Sequence, residues 1–285
     1  LICKPGKLKV TPPLVQSLVD TWDGRNVVWL ATNEAANFEI FKKPENFRLI
    51  WKEMQMLGID LIVLPRHKSR KAILIADMDS TMIEQECINE MAAEAGFGLQ
   101  VSKITELAME GKLDFRQALK ERVALLKGLP LSIVEQVYCK RISFTKGGST
   151  LIATMKANGG YTALISGGFT NFTQIVAKKI GFDEHVANKL IHQNQNFTGE
   201  LEPPIIDSKA KAKAMRDISS KLGLSPEEVL AVGDGANDVE MLQQAGMGVA
   251  LHAKQAVQDQ VNAKINHGDL TALLYLQGYK KSDFY

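Results

Sequence analysis

The sequence predicts an α/β protein with a doubly wound parallel sheet, an inserted helical cap and a small N-terminal α/β unit. Three observations predict it. Ala72-Ile-Leu-Ile-Ala76, Tyr161-Thr-Ala-Leu-Ile165 and Val229-Leu-Ala-Val232 are continuous apolar runs, too short for helices and apolar on both faces, as buried parallel strands are. A fourth run, Gly248 to Leu251, is weaker. Helical spacing fills the intervals at Leu151 to Lys156, Phe172 to Lys179, Lys211 to Leu222 and Val239 to Ala245, and strands alternating with helices make a parallel sheet. Finally, residues from about 88 to 142, between the first strand and the second, read as helix after helix, punctuated by Gly96, Gly98, Gly111, Gly128 and Pro130.

Ahead of the first strand, residues 1–70 mix short apolar runs at Val27 to Leu30 and Ile59 to Leu64 with one amphipathic stretch at Phe47 to Leu57. They read as a separate unit, closed by the basic linker Pro65 to Lys71. Residues 71–285 form the second domain, carrying the cap at about 88–142. Helices placed after a strand's C-terminal end sit over the edge where ligands bind in such sheets. Asn188 to Pro204 alternates apolar and polar residues and reads as a hairpin. A length of 285 residues allows about two domains.

Composition narrows the function classes. Thirty-four basic residues against 32 acidic ones leave a formal charge of +2, which gives no support for nucleic-acid binding through net charge. Cys3, Cys87 and Cys139 show no C-x-x-C pairing and suit a reducing compartment. No apolar run approaches the roughly 18 residues of a membrane span, and no secretory signal opens the chain. The expectation is a soluble, cytoplasmic protein with neither a membrane nor a nucleic-acid partner; a homodimer stays open.

Chemistry gathers at the strand ends. The first strand runs into Asp77-Met-Asp79-Ser-Thr81, the second into Ser166-Gly-Gly168, and the third into Gly233-Asp234-Gly-Ala-Asn237-Asp238. Parallel strands bring these ends to one sheet edge, and Asp77 and Asp79, two apart on extended chain, point to the same side. Any one of the three is weak: a strand-end Asp caps turns, and Ser-Gly-Gly is also a plain N-cap. Together they describe a carboxylate cluster without His or Cys, a set of hard oxygen ligands that suits Mg²⁺ better than Zn²⁺. A lysine is then needed for charge balance, and Lys209, Lys211 and Lys213 all offer one.

These motifs, in this order, resemble the haloacid dehalogenase superfamily of aspartyl-phosphate phosphatases. The likeness narrows to the phosphoserine phosphatase family through Glu86, nine residues after Asp77, Glu110-Gly-Lys-Leu-Asp-Phe115, Leu119 to Lys127 and Ser166-Gly-Gly-Phe169. It covers residues from about 72 to 280. The resemblance implies Asp77 as nucleophile and Asp79 as general acid and base, with Mg²⁺ on Asp77, Asp234 and the Asp79 carbonyl, and Asp238 in support. It puts Ser166, Gly167 and Asn237 on the phosphate. The family's lysine lies 23 positions before the third-motif Asp, which selects Lys211.

For the amino-acid part of phosphoserine, Glu86 can accept from the ammonium and Arg122 offers a planar fork to the carboxylate. Met109 and Phe115 would exclude water on closure. By spacing alone Arg122 reads as a solvated charge on a cap helix, and Met109 and Phe115 as cap core. The resemblance also allows the N-terminal unit a regulatory role. Another small-molecule phosphatase or phosphotransferase is the nearest alternative. A signalling receiver module is disfavoured by Asp79, by the helical insertion and by length, and a P-type pump fragment by the lack of a span.

Overall fold

The computed structural model describes residues 1–65, 70–109 and 112–285, with Met109 described by its backbone alone. The first elements are β1 (Ile2–Cys3), α1 (Pro12–Thr21), β2 (Arg25–Ala31), β3 (Ala35–Glu39), α2 (Phe47–Leu57) and β4 (Ile59–Asp60). They form an antiparallel sheet of order β2-β3-β1-β4, a split β-α-β-β-α-β arrangement. Helix α1 was not evident from the sequence: it is short, buries only Val15 and Leu18, and starts at a proline pre-set for the first helical turn. The run Ile59 to Leu64 leaves the sheet after Asp60.

That early exit has a physical reason. Asp60 is fully buried and accepts backbone N–H bonds from Asn266, His267 and Gly268 at 2.8, 3.1 and 2.8 Å, so β4 ends as a clamp on the chain's C-terminal loop. Glu34 makes a second tie, accepting from Tyr275 Oη at 2.8 Å and Lys281 Nζ at 2.9 Å. The expected linker falls largely on residues 66–69, which lie outside the described residues; beyond them the Lys71 N–H donates to Gln277.

The larger sheet starts with β5 (Ile73–Ala76), every residue of it buried. After it come α3 (Cys87–Glu94), α4 (Gly98–Met109), α5 (Phe115–Ala124) and α6 (Ile133–Arg141), the expected cap. Next are α7 (Gly148–Ala157), β6 (Tyr161–Phe169), α8 (Thr170–Ile180), β7 (Glu184–Gln193), β8 (Asn196–Glu202), α9 (Ser208–Lys221) and β9 (Val229–Gly233). The chain finishes with α10 (Val239–Gln244), β10 (Met247–Leu251), α11 (Gln255–Gln258), β11 (Ala263–Ile265) and α12 (Ala272–Leu276). Strand order is β11-β10-β9-β5-β6-β7-β8, all parallel except the β7–β8 hairpin. Successive strands spread from β5 in opposite directions, making its C-terminal end the topological switch point where ligands collect.

Two differences from the sequence reading bear on function. Strand β6 runs on to Phe169, which precedes α8, so Ser166-Gly-Gly168 is irregular strand rather than an N-cap. The cause is tertiary: Asn188, buried on β7, donates to the Gly167 carbonyl at 2.8 Å and accepts from the Ile206 N–H at 2.8 Å. The other concerns how the cap is held. It joins the core through paired linkers, with an Ile83–Phe144 bridge and Glu84 N–H to Ser143 O at 2.9 Å. It also rests on the hairpin through a Pro130–Asn196 bridge and Gly128 N–H to Phe197 O at 2.8 Å.

Candidate active site

Beneath the cap, the ends of β5, β6 and β9 carry the expected groups to one point. Asp77 leaves β5 with its N–H donating to Val232 O, which ties the β5 and β9 ends together. Lys211, one turn into α9, is fully buried and lies 2.7 Å from Oδ1 of both Asp77 and Asp238. Neither neighbouring lysine shares that place: Lys213 pairs with Asp217 on the surface. Burial alone would lower the Lys211 pKa, but the carboxylates of Asp238 and Asp77 outweigh it and hold the ammonium charged.

The acidic cluster has the geometry of a cation site. Asp77, Asp234 and Asp238 can bring one ligand oxygen each within 4.8 Å of one another. Asp234 is oriented by the Thr81 hydroxyl at 2.9 Å, and Asp238 accepts the Gly235 N–H at 3.1 Å. Burial, then the Asp238 charge, push Asp77 well above the usual carboxylate range; burial, then Asp238 and Asp77, do the same to Asp234. A divalent cation between three carboxylates this close would offset their repulsion. Asp79 stands apart: its carboxylate is outside this trio and accepts the Cys87 N–H at 3.2 Å from the first turn of cap helix α3. Burial raises its pKa, as proton donation requires.

Opposite the cluster, the cap closes over a small cleft lined by residues of both cap and core. Its floor is Asp77, Asp79, Ser166 and Gly167, its roof Phe115 and Arg122, and its sides include Glu86 and Asn237. The glycines are needed for the approach: a Cβ on Gly168 would stand 2.7 Å from Asp79 Oδ2, and one on Gly167 3.0 Å from the Phe115 ring. The Ser166 hydroxyl accepts the Gly168 N–H at 2.9 Å. Next to the roof, Arg116 bridges to Asp207 at 2.6 Å, and Asp207 also caps α9 by accepting the Ala210 N–H.

Two charged side chains of the cap face this floor. Burial, then the Asp79 charge, lift Glu86 to about 7, and its Oε1 accepts the Ser80 hydroxyl at 2.7 Å. Arg122 is only 5% exposed, so it is not the solvated charge that its spacing suggested; burial lowers its pKa while Glu86 and Asp79 oppose that. The Met109 side chain lies outside the described residues. Sequence reasoning missed Thr105, which lines the cleft, and Thr81, Cys87 and Asn188, which orient others. Of these, only Thr81 carried a signal, its place inside the Asp77-x-Asp79-x-Thr81 run.

A family model described as haloacid dehalogenase-like hydrolase matches residues 74–243. This chain is 42% identical over 224 residues to a phosphoserine phosphatase of Archaeoglobus fulgidus, covering 78% of this chain and 65%, about two thirds, of that protein. It is 41% identical over 204 residues to a phosphoserine phosphatase of Lactococcus lactis subsp. lactis, covering 72% and 94%. Among solved structures, a HAD-family hydrolase of Salmonella enterica serovar Typhi superposes with a TM-score of 0.85 at 29% identity, over 96% of both chains. A substrate-bound phosphoserine phosphatase complex superposes with a TM-score of 0.69 at 38% identity, over 72% of this chain and 98% of that one.

Proposed function

Because the chain belongs to the haloacid dehalogenase-like hydrolase family, we propose that it hydrolyses O-phospho-L-serine to L-serine and phosphate with Mg²⁺ as cofactor, the last step of serine biosynthesis. The observation that carries this reading is that Glu86 and Arg122 line the same cleft as Asp77 and Asp79. An ammonium acceptor and a carboxylate donor across from a nucleophile and an acid are what an amino-acid phosphate monoester requires, and a simpler phosphate ester would need neither.

In the first step an Asp77 carboxylate oxygen attacks phosphorus and the bond to the serine oxygen breaks. The electron pair goes to that oxygen, and Asp79 supplies its proton. In the second step water attacks the aspartyl-phosphate, Asp79 takes a proton from it, phosphate leaves and the Asp77 carboxylate is restored. Lys211, Ser166, Asn237 and the backbone at Gly167 face the charge carried by the transferring phosphoryl. Asp77 and Asp234, with the Asp79 carbonyl and Asp238 in support, would hold Mg²⁺, which supplies positive charge to the phosphoryl oxygens. Phe115 over Gly167 keeps water from the phosphoryl while serine is still in place.

Among the described residues no helix is long and apolar enough to cross a membrane. Three free cysteines, two of them buried, support a reducing, cytoplasmic setting. Phosphate release should be measured from phosphoserine, phosphothreonine and a sugar phosphate, after chelation and after Mg²⁺ is restored. Phosphoserine should lead by tenfold or more, about the discrimination one pocket contact gives, and only with the metal. Equal rates on all three substrates would overturn the serine-specific reading.

A further inference from the structure

We propose that Thr105 is a positioning residue for substrate selection: its hydroxyl fixes the Arg122 guanidinium where it can take the substrate's carboxylate. This rests on the proposed function above and adds to it a residue outside every motif that carries the family resemblance.

Arg122 is a buried cation on which Glu86 and Asp79 act through their charge, while its hydrogen bonds among the described residues go to neutral oxygens. Of its five donors, Nε is given to the Ala118 carbonyl at 3.1 Å and one Nη1 hydrogen to Thr105 Oγ1 at 2.8 Å. Both acceptors are neutral, so three N–H hydrogens, two of them on Nη2, and a charge that Glu86 and Asp79 only partly offset are left for a ligand. A buried guanidinium in this state is costly until an anion completes it.

Thr105 is constrained to accept from Arg122. A hydroxyl has one proton, and Oγ1 stands 2.8 Å from Asn89 Oδ1 and 3.0 Å from Val101 O, both acceptors only. Whichever takes the proton, a lone pair is what Oγ1 presents to Arg122. The contact of Oγ1 with Val101 O, four residues back on α4, selects between the two rotamers open to a helical threonine and fixes Oγ1 in space. The chain of contacts Asn89–Thr105–Arg122 joins α3, α4 and α5, and α3 begins directly after Glu86. Thr105 therefore fixes the separation between the group that takes the substrate's ammonium and the group that takes its carboxylate.

The test compares phosphoserine with phosphoethanolamine, which keeps the phosphate ester and the ammonium but has no carboxylate, using the full chain with Mg²⁺. In Thr105→Val, which keeps the shape and removes the hydroxyl, the ratio of kcat/KM for phosphoserine over phosphoethanolamine should fall by about tenfold, through a raised KM for phosphoserine. Thr105→Ser should recover most of the ratio. Asn89→Ala, at a half-buried position, should shift the ratio the same way by less, and it serves if the Val variant does not fold. A ratio that stays at the wild-type value in these variants, or an equal loss on both substrates, overturns the positioning role. If the wild-type enzyme itself does not prefer phosphoserine, the substrate reading falls and takes this inference with it.

Discussion

Gly168→Ala isolates the part played by Asp79. The added methyl would sit 2.7 Å from Asp79 Oδ2, 3.1 Å from Ser166 Oγ and 3.3 Å from Met78 Cε. An ordinary carbon–oxygen contact is about 3.4 Å, so the Asp79 carboxylate must give way by roughly 0.7 Å or the strand must shift. Asp79 is held from its other side by the Cys87 N–H at 3.2 Å, and moving it stretches that bond. A displacement near 1 Å in a reacting group costs on the order of 10²-fold, and loss of general acid–base help costs about 10²–10⁴-fold. We therefore expect phosphoserine turnover to fall about 100-fold with the fold intact. The assay that separates acid from base uses 4-nitrophenyl phosphate, whose leaving group needs no proton. Its first step should survive and the water-dependent second step should not, which gives a burst of nitrophenolate close to the enzyme concentration, then slow release. Turnover within twofold of wild type, or equal losses on both substrates with no burst, would refute the argument.

Two further outcomes follow from the charges. Lys211→Met keeps the buried stem and removes the cation that lies 2.7 Å from both Asp77 and Asp238, so activity should fall about 10³-fold and stability by about 3–5 kcal/mol at neutral pH. Asp77, left without that cation, is raised in the folded state, so its protonated form favours folding below the unfolded value near pH 4, and that contribution is lost as pH climbs; thermal melts should show a far smaller deficit at pH 5 than at pH 8. Glu86, lifted to about 7, loses its charge as pH falls through that value, so KM for phosphoserine should rise below pH 7. Glu86→Gln should flatten that dependence, and a wild-type KM that stays constant from pH 8 to pH 5.5 contradicts the ammonium role.

Much of this was legible because the signals were local. Runs such as Ile73 to Ala76 are buried on both faces and read as apolar without interruption, and their ends carry Asp77, Ser166 and Asp234 to one edge by topology alone. What stayed hidden depends on partners distant in sequence. Asn188 matters because it holds Gly167, 21 positions away, and Thr105 because it meets Arg122 across two cap helices. Arg122 shows the limit from the other direction. Helix α5 is polar enough to read as a solvated surface, yet the cap packs that face inward and buries the guanidinium. The short strand β11 and helix α1 were missed because few of their residues repeat with a period.

The central claim is that phosphate passes through Asp77. Acid quenching of enzyme incubated with phosphoserine labelled in its phosphate, followed by peptide mapping, should place acid-stable, alkali-labile label on the peptide containing Asp77 and none on Asp77→Asn. Label on any other residue, or an Asp77→Asn enzyme that still turns over near the wild-type rate, would contradict the account.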